Sequence, residues 1–575
     1  MLFDAFDEIH AASRDIVMEL FRVLLQSKSI RLIISGRNHV EQPLRNAFRA
    51  FNLKPVMLSI YPLEDESQKQ IMKSIWSVFD NKKGFTPLHW AVEGGHNDSV
   101  LLLIADGADI ELSARDGTKA MHSAALNGRV DVLRTLIAKK ANIDAQDKKG
   151  WTPLHCAAQE GHNDAVVLLI DNGADIELPQ KDGTKAMHVA ALNGRVDVLR
   201  TLIAKKAKID EQNVEGSTPL HCAAQNGHYD AVVLLIDNGA DIELSQKDGT
   251  RTIHEAALNG RVDVLSTLIA RMVEIDAQDE EGWTPLHCAA QEGNNEAVVL
   301  LTDEGADIEL ARKDGTKAMH EAALNGRVDV LRTLIAKKSK IDAQDKEGWT
   351  PLHCAAQEGH NEAVVLLIDN GADIELSQKD GWTPLHCAIQ EGHNDAVVLL
   401  IDKGADIELT QEDGSTPLHC AAQNGHNDAV DLLIDNGADI ELSAFDGTKA
   451  IHLAAFNGEV DVLRTLIVNN AKINAQTKDG WTPLHCAAQN GHNNAVDLLI
   501  DNGADIELTK KDGKKAMHLA AFNGNVDVLR TLIAEQAKND TQDIDGWTPL
   551  HYAVQNGNND AVVFLIENGA DIDLL

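Results

Sequence analysis

The chain has 575 residues, with 52 Lys and Arg against 89 Asp and Glu and a formal net charge of −37. Such a charge repels phosphate backbones and anionic membrane surfaces, so neither nucleic acid nor membrane is an expected partner. A hydrophobic fraction of 44% and a charged fraction of 25% belong to a folded chain, and 4% aromatics imply a core of Ala, Val, Leu and Ile. No apolar run approaches the roughly 18–20 residues of a spanning helix, and acids stand where a signal peptide would carry cations.

Residues 1–80 read as alternating elements. An apolar strand end delivers Asp4, Asp7 and Glu8, residues 13–25 form an amphipathic helix, and residues 30–34 a strand followed by Ser35-Gly36-Arg37. Residues 43–51 are helical, 55–60 a strand and 65–79 a helix. The order suggests part of an α/β sheet. It resembles the middle of a NACHT-type nucleotide-binding domain of the STAND class, as in fungal NOD-like receptors. The resemblance implies a Walker B element in which Asp4 holds Mg²⁺ and Asp7 or Glu8 poises water. Arg37 matches that family's later Thr-Ser-Arg strand end only with a shift. A phosphate site also needs a glycine-rich loop with Lys and Ser/Thr, and Gly-x-x-x-x-Gly-Lys-[Ser/Thr] occurs nowhere in the sequence. The expectation is a partial P-loop NTPase fragment with vestigial acids and no bound cofactor. Ile71, Ile75, Val78 and Phe79 are placed to cap the first repeat that follows.

From residue 81 the chain repeats. Glycines recur at one fixed interval, from Gly84 through Gly117 and Gly150 to Gly546, without insertion or deletion. They define fifteen units over 81–575. The units start near 81, 114, 147, 180, 213, 246, 279, 312, 345, 378, 411, 444, 477, 510 and 543. Two unit types alternate with a 66-residue period, until the units at Gly348, Gly381 and Gly414 repeat the first type three times. In a first-type unit Thr152 is a helix N-cap, Pro153 suits the first helical position and Gly161 ends the helix. A second helix begins at Asn163 or Asp164 and exits through Gly173, and residues 174–178 run as an extended arm toward Asp182-Gly183.

Thr-Pro-Leu-His-x-Ala-Ala, the Gly-His turn and the Gly-Ala-Asp-Ile exit resemble the ankyrin repeat. Nine units keep Thr-Pro-Leu-His. The resemblance implies an all-α curved solenoid of helix-turn-helix units with β-hairpin fingers, recognising protein partners through fingertips and inner helix faces. The six second-type units replace the proline (Ala120, Ala186, Thr252, Ala318, Ala450, Ala516) and lose the exit glycine, as at Lys140 and Lys206. A left-handed non-glycine costs on the order of 1 kcal/mol, so these units are expected to be locally softer.

Of 24 histidines, fifteen hold the same first-helix position and seven the Gly-His turn. A ring recurring at every stacking step is better explained by backbone hydrogen bonds than by metal, because adjacent rings are too far apart to share an ion. All seven cysteines follow that histidine, beyond the roughly 7 Å reach of a disulfide, and read as buried packers in a reducing compartment. The implied location is the cytoplasm, with the nucleus left open.

The tryptophans after the repeat glycine, Trp151, Trp283, Trp349, Trp382, Trp481 and Trp547, either grip a partner or pack over the neighbouring loop. Fingertips differ between copies while the helices do not. That variation makes Arg115, Lys181, Lys247, Arg312, Phe445 and Lys510 further partner-binding candidates. Residues 1–83 carry +2 and the array −39, which favours a basic partner or serves solubility. The expected function is a monomeric, non-catalytic protein-interaction scaffold. The alternative is the sensor half of a nucleotide-switched NOD-like receptor, with this chain the back part of a longer product. An ankyrin-bearing toxin or channel is disfavoured by the missing spanning and basic amphipathic segments.

Overall fold

The computed structural model describes residues 84–574. The α/β fragment expected over 1–80, with Asp4, Asp7, Glu8 and the proposed cap, lies outside them. Contacts divide the described residues into two units, one with 84–90 and 113–116, the other with 91–112 and 117–574. The second unit carries the site.

The described residues form thirty α-helices, two per repeat. In the repeat at Gly150 the first helix is Pro153–Glu160, and Thr152 Oγ1 accepts the His155 N–H at its start. Gly161 closes it in the left-handed conformation at φ 82°. The second helix is Asn163–Asp171. The Thr-Pro and Gly signals therefore act as the sequence implies.

Second-type units follow the same plan over Ala186–Leu192 and Val196–Ala204, with Lys185 at the N-cap and no hydroxyl cap. Their lost exit glycines leave six non-glycine residues at positive φ: Lys140, Lys206, Met272, Lys338, Asn470 and Gln536.

First helices pack against first helices and second against second in neighbouring repeats. The core between the layers is small and aliphatic: Leu154, Ala157 and Ala158 meet Val166 and Leu169, all essentially inaccessible. Neither helix could bury that face alone, which ties folding to stacking.

The expected β-hairpin fingers do not form. Among the described residues there is no strand, only one isolated antiparallel bridge between Ser245 and Arg251. Each finger is a tight turn instead. Asp147 N donates to Trp151 O at 3.0 Å, Gly150 N to Asp147 O at 3.1 Å, and Asp147 Oδ1 accepts from both Lys149 N and Trp151 N at 2.8 Å. One cross-arm backbone bond is too few for a ladder. The remaining backbone groups turn sideways to the next finger: Lys181 N donates to Lys149 O at 3.1 Å, Val214 N to Asp182 O at 2.8 Å, and so on along the array.

Candidate interaction surface

The site is built by repetition, so each side chain is positioned relative to its copies. Fingers approach so closely that a Cβ on Gly150, at φ 90°, would lie 2.7 Å from Lys181 N. The conformation and the contact both require glycine there.

The first-helix histidine joins repeats. Thr152 N and Thr152 Oγ1 lie 3.2 and 2.7 Å from His155 Nδ1, so Nδ1 is the acceptor and Nε2 carries the proton toward Thr184 O, 3.1 Å away in the next unit. Second-type units make the same link, His188 Nε2 to Ser217 O at 3.1 Å. Burial pushes His155, His221, His287, His353, His386 and His485 down to about 4. These rings are neutral, and His155, His287, His353 and His485 each link to the next unit, while Nε2 of His221 and of His386 has no partner.

The Gly-His turn reaches the other way: His162 Nε2 lies 3.1 Å from Leu126 O, at the end of the preceding first helix. Arg195 replaces it in the second type, its Nε donating to Gln159 O at 2.8 Å. All seven cysteines are free, and burial pushes the Cys156 and Cys222 thiols up to about 12, so they are not nucleophiles at neutral pH. No group of three or more His, Cys, Asp or Glu among the described residues could hold a metal ion.

The six tryptophans are half-buried and packed beside the histidine four residues on, with centroids 5.8–6.4 Å apart. Their carbonyls accept the preceding repeat's histidine, as Trp151 O does from His122 Nε2 at 2.9 Å. Two meet candidate cations of the next fingertip: Arg312 Cζ lies 4.2 Å from the Trp283 ring centre, and Lys510 Nζ 3.9 Å from that of Trp481. Arg312 also pairs with buried Glu321 at 2.6 Å. For these two pairs the packing role is the one the geometry supports. Arg115, Lys181, Lys247 and Phe445 are exposed on their tips.

Three features escaped the sequence. The fingertip residue meets the first-helix residue nine positions on: Gln246 Nε2 with Glu255 Oε1 at 2.9 Å, Gln378 Nε2 with Cys387 Sγ at 3.3 Å, Tyr552 Oη donating to Asp543 Oδ2 at 2.5 Å. Where that partner is Val189, the Gln180 amide nitrogen is buried without one.

Second, the N-cap cation of every second-type unit bonds Oε2 of a glutamate eight residues earlier, on the opposite arm of its finger. The pairs are Lys119–Glu111, Lys185–Glu177, Arg251–Glu243, Lys317–Glu309, Lys449–Glu441 and Lys515–Glu507, at 2.5–2.8 Å. The signal was present as a recurrent Glu and Lys at fixed spacing.

Third, second-type first helices end in an exposed apolar residue, Leu126, Leu192 and Leu324 and then Phe456 and Phe522, where first-type units mostly place Gln. A cavity of about 270 Å³ opens beside this row, lined by Arg312, Glu321, Leu324, Asp345, Trp349 and Cys354 among others. Variable tips, alternate apolar ends and buried carboxylates together suit polypeptide recognition.

Family models described as ankyrin repeats match the array: a single repeat at 83–115, a three-copy model in segments covering 111–246 and 253–575, and a many-copy model at 227–269. A comparison with curated proteins gave no match. No helix among the described residues is long and apolar enough to cross a membrane.

Proposed function

The chain belongs to the ankyrin repeat family, whose repeats build protein-interaction scaffolds, and from that premise we propose that it is a non-catalytic, monomeric recognition arm. Its binding surface is the one formed by fingertips and first-helix ends, concave in the geometry the resemblance implies. The observation that carries this reading is the contrast within each repeat: helix cores recur almost unchanged, while the tips vary and so, in second-type units, does the residue after the first-helix histidine. Seven free cysteines fit a reducing, cytoplasmic location, and a charge of −37 opposes self-association.

The test is capture of partners with the intact chain and two double variants. Leu192→Arg with Leu324→Arg alters the first-helix ends; Asp197→Ala with Arg200→Ala alters exposed second-helix positions. Loss of a partner with the first and retention with the second is expected. Equal retention in both would remove this surface from the proposal.

A second reading makes the array the sensor half of a nucleotide-switched receptor in non-self recognition. It is supported by the sequence pattern of Asp4, Asp7 and Glu8 alone. Peptide mapping of the native polypeptide decides it: a glycine-rich phosphate loop in the same product is expected, and a native product without one would overturn the reading.

A further inference from the structure

Three consecutive first-type units, residues 348–446, hold two cations, Lys379 and Lys403, against nineteen Asp and Glu, a net −17. The preceding pair of alternating units, residues 282–347, holds nine cations against twelve acids. Both cations of the acidic block are already engaged, Lys379 with Glu347 and Lys403 with Asp369.

Charge alone would not define a site. The cross-arm glutamates do. Eight first-type arms carry one: Glu111, Glu177, Glu243, Glu309, Glu375, Glu408, Glu441 and Glu507. Six hold a Lys or Arg of this chain on Oε2. Five of these six also use Oε1 for a backbone N–H of the next arm. Glu375 and Glu408 keep that backbone bond, from Asp406 N at 2.8 Å and Asp439 N at 2.9 Å. The residues facing them eight positions on are Thr383 and Thr416, so neither Oε2 receives an N-cap cation.

The finger carrying Glu408 is also less tightly held. His386 is fully buried, and its Nε2 has no partner, as also at His221 in the alternating repeats, whereas the equivalent atom of His353 or His419 donates to the carbonyl just before the next N-cap. Two preformed cation seats therefore stand one repeat apart in the most acidic part of the molecule.

We propose that residues 348–446 dock a cationic, extended segment of a partner protein, whose Lys or Arg side chains occupy the seats at Glu375 and Glu408. The inference rests on the scaffold reading above and adds the chemistry of the partner. Neighbouring repeats stack about 10 Å apart, and a segment in the extended polyproline II form covers about 9 Å in three residues with side chains i and i+3 on the same side. The segment is thus Lys/Arg-x-x-Lys/Arg. The net charge of −37 opposes a second copy of this chain as occupant.

The test uses the full chain and fluorescein-labelled peptides with two lysines three residues apart, or adjacent, in a Ser/Thr background, followed by fluorescence anisotropy. Thr383→Lys with Thr416→Lys supplies the missing cations from within, as second-type units do. Asp395→Asn with Asp402→Asn changes charge equally at exposed second-helix positions. Preferential binding of the spaced peptide is expected, weakened at least tenfold by the lysine pair and less than twofold by the asparagine pair.

Glu375→Gln with Glu408→Gln, which keeps the Oε1 acceptor, should behave like the lysine pair if that variant proves poorly folded. Equal weakening by all variants, no preference for spacing, or no binding would overturn the proposal. Partner capture that still depends on Leu192 and Leu324 would then leave the scaffold reading standing.

Discussion

The alternating repeats and the three like repeats at 348–446 share helices, turns and histidine positions, yet their junctions differ. Where a second-type unit follows a first-type unit with Asn at the start of its second helix, the second-helix threonine donates back across the interface, as from Thr135 to Asn97, Thr201 to Asn163 and Thr333 to Asn295 at 2.6–2.7 Å; Thr267, which faces Tyr229, bonds its own helix instead. Where first follows first, the equivalent residues are Leu399 and Leu432, and the Oδ1 atoms of Asn361 and Asn394 are buried without a partner. The cross-arm cations are missing at the same two junctions, and the second of them also lacks the His386 bond. Repeats that look interchangeable along the chain are not interchangeable across an interface. The contacts are written in pairs, and the structural cell is two repeats rather than one.

The expected softness of the second-type units has a counterweight. The second-type units do carry the six strained exits, but they also bring the threonine and the cross-arm cation that complete their neighbours. The run 348–446 lacks both contacts.

The largest expected effect erases the contrast, because both repeat types depend on neutral histidines. The folded-state pKa of His155 and its like is about 4, below the ordinary 6.5 of the unfolded chain. Above pH 6.5 the ring is neutral in both states. As pH falls toward 4, the unfolded state takes the proton first and stability drops, by about 2 kcal/mol per such ring at pH 5. Far-UV circular dichroism should show cooperative unfolding of the whole array between these values. A helical signal unchanged down to pH 4 would contradict the neutral-link role.

A smaller effect sharpens the contrast. Replacing residues 381–413 with the second-type sequence of 315–347 restores alternation and removes three unpartnered groups. At about 1 kcal/mol each, the opening free energy of 348–446 should rise by about 3 kcal/mol. Hydrogen exchange of amides in that block reads this directly, and unchanged protection would mean the unmet bonds carry no energy.

The smallest effect isolates the second-type exits. Lys140→Gly relieves a residue held at φ 63° and should stabilise by about 0.5 kcal/mol, the strain relief being partly offset by glycine's freedom in the unfolded chain. Urea denaturation of the variant, with the same change at Lys206, checks the sign.

The helices were legible because their signals are local. Thr152, Pro153 and Gly161 act within one turn, and the aliphatic pattern of Leu154, Ala157, Val166 and Leu169 follows from helical spacing. The left-handed exits at Lys140 and Lys206 were read from the missing glycine for the same reason. The surface was less legible because it is assembled across elements. Arg312 meets Trp283 from almost a whole repeat away and Glu321 from nine positions off, separations set by how a finger folds back rather than by any helical period. The hairpin expectation failed on the same point, since each finger closes on itself with one cross-arm backbone bond and turns further backbone groups to its neighbour.

The histidine link also bears on how such a molecule changes length over generations. Its donor belongs to one unit and its acceptor to the next, and this relation recurs at nearly every step along the array. Unequal crossing-over between copies therefore re-forms the link wherever the break falls, so gain or loss of one unit yields a foldable product. The threonine and cross-arm contacts recur only at every second unit, so an odd exchange leaves a seam of unmet bonds while an even one leaves none. Residues 348–446 carry two such junctions in succession, with the alternation in register on either side of them.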